Sequence, residues 1–301
     1  MKNFLKIKSI SQLHEMLGFS KPKHPLVTII DYSTVTPSKD HYDVNIITDF
    51  YIISLKTPAP KSIQYGRQYY DFEEGTLMFL SPNQVFSVKD FNEGLSFNGW
   101  GLYFHPDLIA NSSLSNNMKN LTFFSYSVSE ALHVSDEEKK ILQSIIDNIL
   151  NEYNRAIDEY SRVVIVSAIE LLLNYCQRFY GRQFITRKKL NTDTISKFEN
   201  ILKEYFSKSQ EITGLPNVQY FSSQLNLSSN YLSDLLKKET GKATKEHIND
   251  YVMTLAKEKL LSTNESVSEI AYSLGFDYPQ YFNRVFKSKT GMTPLEYRQV
   301  S

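Results

Sequence analysis

The sequence predicts an α+β protein of two domains: a strand-rich N-terminal half with flanking helices, and an all-α C-terminal part. Three observations lead there. A chain of 301 residues has the length of about two domains. The apolar pattern changes from strand-like to helical past the middle of the first half. The C-terminal part nearly repeats itself, since YLSDLLKKETG (Tyr231 to Gly241) returns as YFNRVFKSKTG (Tyr281 to Gly291).

Composition narrows the class. With 41% apolar residues, 20 Tyr and 19 Phe, the chain can build real cores. One cysteine rules out an intrachain disulfide and any multi-Cys zinc site, which fits a reducing compartment. The N-terminus, MKNFLKIKSISQLHEML, interrupts its apolar residues too often for a signal peptide, and no unbroken apolar run reaches membrane-spanning length. The expectation is a cytoplasmic protein without a membrane partner. A net charge of zero argues against a protein that simply coats nucleic acid, so any such role depends on local placement of charge.

Ser9 to Gln12 has the form of a capping box, and Ile10, Leu13 and Leu17 follow at helical spacing before Gly18, predicting a short helix. From about 26 to 105, β-branched and aromatic runs such as LVTIIDYS, VNIITDFYIISL, SIQYGRQYYDF, TLMFLS and LSFNGWGLYF alternate with turn signals. Close spacing of this kind predicts an antiparallel barrel or sandwich. Ser135 to Glu138 is a second capping box, opening a helix with Ile141, Leu142, Ile145, Ile146 and Ile149 on its apolar side. Arg162 to Tyr180 predicts a helix apolar over most of its circumference and ended by Gly181. Such a helix packs either on the strands or against a second copy of the chain. The expected division is 1–181 as one domain, a basic linker over 182–192, and 193–301 as the helical domain.

Extended upstream, the repeat holds at an offset of 49 rather than 50: Val218 faces Val267, Phe221 faces Ile270, Ser222 faces Ala271, Leu225 faces Leu274 and Asn226 faces Gly275. One extra residue therefore lies between Phe276 and Tyr281, where a helix begins. Each copy reads helix, turn, helix, with Asn226 or Gly275 supplying the positive φ of the turn and a small residue, Ser222 or Ala271, at the helix crossing. The outward face of the second helix carries Ser229, Asn230, Ser233, Asp234, Lys237 and Lys238 in copy one, and Gln280, Asn283, Arg284 and Lys287 in copy two. Arg suits guanine, Asn and Gln suit adenine, and Lys suits phosphate, although any single one of them could equally be a solvated polar residue. Between the copies, Lys245 to Leu261 reads as one amphipathic helix.

The motifs LNLSSNYLSDLLKKETGK and SVSEIAYSLGFDYPQYFNRVFKSKTGMTPLEYR make residues 195–301 similar to the DNA-binding domain of the AraC/XylS transcription regulators. The resemblance implies seven helices, two helix-turn-helix units joined by a long helix, and sequence-specific binding to double-stranded promoter DNA. By position, base contacts fall on Asn230, Ser233 and Asp234 in the first unit and on Gln280, Asn283 and Arg284 in the second. Backbone contacts fall on Ser229, Lys237, Lys238 and Lys287. Asp234 stands where the family often has Arg, Ser222 replaces the usual Ala, and Pro279 enters a first helical turn, where its missing N–H does no harm.

The family layout also implies a cupin-like β-barrel in the N-terminal half and a homodimer through the helices over 135–180. It adds a small-molecule effector, and RNA polymerase as a partner if the protein is an activator. Gly75 to Asn83 resembles a cupin strand and turn. No His-x-His pair occurs among the six histidines, so neither a metal nor a cofactor is expected. Tyr51, Tyr69, Phe72 and Trp100 are candidates to line an effector pocket, or else to fill the core. The competing classes, a cupin-type enzyme and a helical adaptor, lack respectively a ligand or nucleophile set and a reason for the two polar helix faces.

Overall fold

The computed structural model describes residues 4–35, 44–57, 63–64, 75–88, 98–127, 130–186, 188–207 and 214–300. They form two compact units, Met1–Thr186 and Arg187–Ser301.

In the first unit, two sheets carry the strands. One has the order β1 (Phe4–Ile7), β3 (Asn45–Thr48), β7 (Val85–Val88) and β5 (Ile63–Gln64). The other runs β2 (Val27–Asp31), β8 (Asn98–Phe104), β4 (Tyr51–Thr57), β6 (Thr76–Leu80) and β9 (Leu132–His133). The pairing is antiparallel as expected, except that β1 joins β3 in parallel. Among the described residues the strand pairings leave two separate sheets and no closed barrel.

Strand alternation explains how each face is used. On β4, Ile52 stands beside Tyr103 and Leu80, which meet Ile7, Ile46 and Phe50 in the core between the sheets. Helix α1 (Ile10–Met16) closes that core with Ile10 and Leu13, its N-terminus capped by the Ser9 hydroxyl. The opposite face of the five-stranded sheet presents Phe79, which packs on Phe123, Phe124 and Tyr180.

Short helices α2 (Pro106–Ile109) and α3 (Ser113–Asn117) lead to α4 (Asp136–Tyr153) and α5 (Ser161–Thr186). The expected capping box opens α4, with the Ser135 hydroxyl and the Glu138 carboxylate exchanging bonds with backbone N–H groups. By length and composition α5 could cross a bilayer, yet Ile165, Ile169, Leu172, Leu173 and Cys176 are buried in the unit.

The expected stop at Gly181 is corrected: α5 runs on to Thr186, through residues that the sequence assigned to a linker. Distant partners hold that extension. The Arg182 guanidinium makes paired bonds to Glu138 at 2.7 and 2.9 Å and a third to the His133 carbonyl. Gln183 accepts from the His133 N–H and donates to the Ala131 carbonyl, and Phe184 is buried. A helical glycine costs only about 1 kcal/mol, which these contacts outweigh.

The second unit contains α6 (Lys188–Ser207), α7 (Val218–Leu225), α8 (Ser229–Thr240), α9 (Thr244–Ser262), α10 (Val267–Ser273), α11 (Pro279–Thr290) and α12 (Pro294–Val300). One core joins them, with Phe198 of α6, Phe221, Leu232, Leu236, Ile248, Val252, Ala256, Leu260, Ile270, Phe282 and Phe286 almost fully buried.

A methyl group added at Gly181 would meet no atom within 4 Å. Gly181→Ala therefore raises the stability of the first unit by about 0.5–1 kcal/mol, read from the denaturation midpoint of its unfolding transition.

Candidate nucleic-acid interface

The helix pairs α7–α8 and α10–α11 are built alike from the residues that the two copies share. At the first turn Asn226 takes φ 55°, and the N–H of Leu227 bonds to the Ser222 carbonyl at 2.9 Å. At the second, Gly275 takes φ 85° and Phe276 bonds to the Ala271 carbonyl at 3.0 Å. These bonds satisfy carbonyls that a helix end leaves orphaned. Five residues, Leu274 to Tyr278, separate the helices in copy two against three, Asn226 to Ser228, in copy one; one of the two additional residues is the register slip, and the other arises because α10 ends one position earlier than α7. The Ser228 hydroxyl caps α8, whereas α11 has no side-chain cap and starts with Pro279 at a position that needs no N–H.

The repeat also runs further than the sequence comparison followed it. Ala243 and Thr293, fifty residues apart, each donate a backbone N–H to Glu246 and Glu296 at 2.7 and 2.8 Å, opening α9 and α12. The bond from Thr293 holds the Glu296 carboxyl below the usual range. His247 and Tyr297 then occupy equivalent places: His247 bonds to the Thr240 hydroxyl, and Tyr297 packs edge-on against Phe286.

The two reading helices differ in what they offer. On α11, Gln280, Asn283, Arg284 and Lys287 are all exposed at i, i+3, i+4 and i+7, forming one face. The Arg284 guanidinium lies 5.1 Å from the centre of the Tyr281 ring, which restricts its freedom before any ligand arrives. On α8, Asn230, Lys237 and Lys238 are exposed, while Ser233 and Asp234 are half-buried. The Ser233 hydroxyl donates to the Ser229 carbonyl at 2.8 Å and receives the Thr244 hydroxyl at 3.4 Å. Ser229 shares a bond with the Ser222 hydroxyl at 3.0 Å, across the crossing of α7 and α8. Both serines thus serve the joints of the unit rather than a free polar face.

A junction that the sequence reading did not single out lies at Asp250, on the second turn of α9. Its carboxylate receives Lys242, just past the end of α8, at 2.7 Å and Lys289, in the last turn of α11, at 2.8 Å. Partial burial raises the Asp250 pKa, but the hydrogen bonds and charges of both lysines outweigh that and hold it below the usual range. Arg298 of α12 similarly ties the C-terminal end of α9 by donating to the carbonyls of Leu260 and Glu265.

In the first unit, Tyr51 and Trp100 both sit on the face of the five-stranded sheet that looks away from the other sheet. Tyr51 stacks on Phe104 and meets Phe124, and Trp100 is buried. Tyr69 and Phe72 lie outside the described residues. Among the described residues, the polar groups between the sheets include Tyr32, whose hydroxyl bonds Ser54 and Tyr103 at 2.8 and 3.0 Å, and Lys56, 5.3 Å from the Tyr32 ring centre. Burial pushes the Lys56 ammonium down to about 8. Among the described residues, no group of three or more His, Cys, Asp or Glu is placed to hold a metal.

Residues 221–300 match a protein-family profile described as a helix-turn-helix domain. The chain is 25% identical over 241 residues to the uncharacterized HTH-type transcriptional regulator YfiF of Bacillus subtilis, covering 78% of this chain and 72% of that one. It is 40% identical over 77 residues to the uncharacterized transcriptional regulatory protein YesN of the same organism, but spans only 21% of that protein's length. A solved structure, the C-terminal domain of the response regulator yesN from Fusobacterium nucleatum, is 33% identical, covering 35% of this chain and 98% of that one with a TM-score of 0.32. The second unit thus carries an AraC-type helix-turn-helix domain, and the chain is a sequence-specific DNA-binding transcription regulator.

The Ser233 hydroxyl is bonded to the Ser229 carbonyl and to Thr244, so its removal is expected to leave base choice unaltered. Ser233→Ala leaves the preferred DNA sequence unchanged in a binding-site selection and costs no more than about 1 kcal/mol in stability, the worth of one hydrogen bond.

Proposed function

We propose that α8 and α11 of one chain enter successive major grooves on one side of promoter DNA, and that the first unit pairs two chains and senses a small molecule. The observation that carries the DNA reading is the four-residue face of α11. It combines an Arg, an Asn and a Gln, the side chains that pair with base edges, with a Lys one turn further on for phosphate. On α8, the equivalent role falls to Asn230 and Asp234 at base level and to Lys237 and Lys238 at the backbone. Helix α9, 19 residues long, measures about 28 Å, which suits a spacer between grooves one turn of duplex apart. A cytoplasmic location follows from this role, and RNA polymerase is a further partner if the protein activates.

Pairing rests on α5. Val164, Ala168, Leu171 and Tyr175 recur at intervals of four, three and four, the spacing of a helix–helix seam. Val164 and Leu171 are 47% and 48% exposed, on a helix whose other side is packed. A second copy meeting this stripe makes a homodimer through the helices over 135–186. The first unit, up to residue 186, is read as a cupin-like sensor. In this reading the effector meets the polar cluster of Tyr32, Ser54, Lys56 and Tyr103 rather than Tyr51 and Trp100 on the other face, because the cluster offers hydroxyl and ammonium groups to a small polar molecule.

In a titration with DNA from upstream of its own coding sequence, Arg284→Ala costs about 1–3 kcal/mol and relaxes preference at one base position. Lys287→Ala weakens all sequences alike and lowers the log–log salt slope by about one. Equal binding of the protein to specific and scrambled DNA, with or without cell extract as a source of effector, would falsify the regulator reading. Leu171→Glu converts a dimer to monomer in sedimentation analysis and leaves helix content unchanged. An unaltered sedimentation rate removes the α5 stripe as the interface.

A further inference from the structure

The junction at Asp250 bears directly on how two reading helices in one chain keep a fixed separation. Lys242 and Lys289 come from the C-terminal ends of two different reading helices, and each takes a different oxygen of the same carboxylate on the helix between them. Asp250 is thus a single group through which the far ends of both units are tied to α9. Its side chain is 33% exposed and the lysines 55% and 37%, so these are surface pairs and each adds little to folding stability. The buried Phe and Leu side chains around α9 hold the fold. Orientation is a finer matter. A weak tie that leaves the fold intact still changes the population of a slightly rotated arrangement by about fivefold. One base pair shifts a half-site by about 3.4 Å along the duplex and turns it by about 35°. A rotation of one unit against the other is therefore read by the DNA as tolerance of a wrong spacing.

The same contact has a charge consequence. The stretch from Asn191 to Ser301 holds 13 Lys or Arg and 13 Asp or Glu. Asp250 occupies two of those cations close to the ends of the reading helices. Without the carboxylate both ammonium groups become available to phosphate, which strengthens sequence-independent binding and its dependence on salt.

Resting on the two-unit DNA reading above, we propose that Asp250 is the residue that sets half-site spacing: it latches α8 and α11 to α9 through Lys242 and Lys289, and so rejects operators with one base pair too many or too few.

The test uses the full chain and a library of synthetic duplexes with a randomised centre. The bipartite site selected by the wild type is then titrated with its natural spacing, with one base pair added or removed, and as a single half-site. The wild type loses about tenfold or more in affinity on the altered spacings, whereas Asp250→Asn loses only about two- to threefold. Single half-site affinity does not fall in the variant, and its salt slope steepens. The double variant Lys242→Gln, Lys289→Gln breaks the latch from the other side. It shows the same tolerance of spacing without the steeper slope, and Asp250→Glu, which keeps the carboxylate, restores discrimination. Wild-type discrimination in both Asp250→Asn and the double lysine variant overturns the latch while leaving the DNA reading intact. If the wild type selects no bipartite sequence at all, the DNA reading fails, and the latch with it.

Discussion

The second unit depends on the apolar side of α9. Ile248 and Val252 lie near the start of this helix, Ala256 and Leu260 near its end, and all four are buried in one continuous core. Neither helix pair could hide its own apolar face. α7 has eight residues and α10 has seven, too short to be stable alone in water. Packed on a common helix, each gains a wall for Phe221 and Leu236 or for Ile270 and Phe286. The same requirement accounts for the small residues Ser222 and Ala271, which let helices approach closely, and for Arg298, which fastens α12 to the carbonyl end of α9.

Much of this was legible in the sequence because its determinants are local. The apolar spacing, the positive φ at Asn226 and Gly275, the helix-ending Gly241 and Gly291, and the capping pair Ser266 and Glu269 all act within one or two turns. A helix end or a turn set by neighbours in sequence can be read from that sequence. The one-residue slip between copies gave even the longer turn of the second unit.

What stayed hidden depends on partners far along the chain. Nothing near Gly181 indicates that α5 continues, because the residues that hold it, Glu138 and His133, lie more than forty positions upstream. Ser233 has the residue type and the spacing of a base-reading position, and only Thr244, brought beside it by the fold, shows that its hydroxyl is turned inward. In the first unit the aromatic residues identified a core but not its faces. Whether Tyr51 and Trp100 look toward the other sheet depends on pairing register: Tyr51 opposes Phe104 and Leu55 opposes Trp100, which sets both on the helix-covered side. Register is a property of two strands at once, and neither strand alone contains it.

The charge balance of residues 191–301, 13 Lys or Arg against 13 Asp or Glu, gains a meaning from the way those charges are arranged. A domain with large net positive charge binds any duplex and needs strong base contacts to prefer one. Here the cations are divided by position. Lys242 and Lys289 are held by Asp250, Lys259 meets Glu265, and Arg298 is spent on backbone carbonyls. Arg284 and Lys287 remain exposed on α11, and Lys237 and Lys238 on α8. These four place positive charge on the two helices proposed to read bases, while Lys197 and Lys203 on α6 and Lys245 on α9 are exposed elsewhere in the unit. On the proposed DNA reading, such a chain is expected to bind non-specific DNA weakly, and its selectivity then rests on the contacts of α11 and on having two reading helices in fixed relation. That second condition is geometric, and the neutral charge makes the protein depend on it.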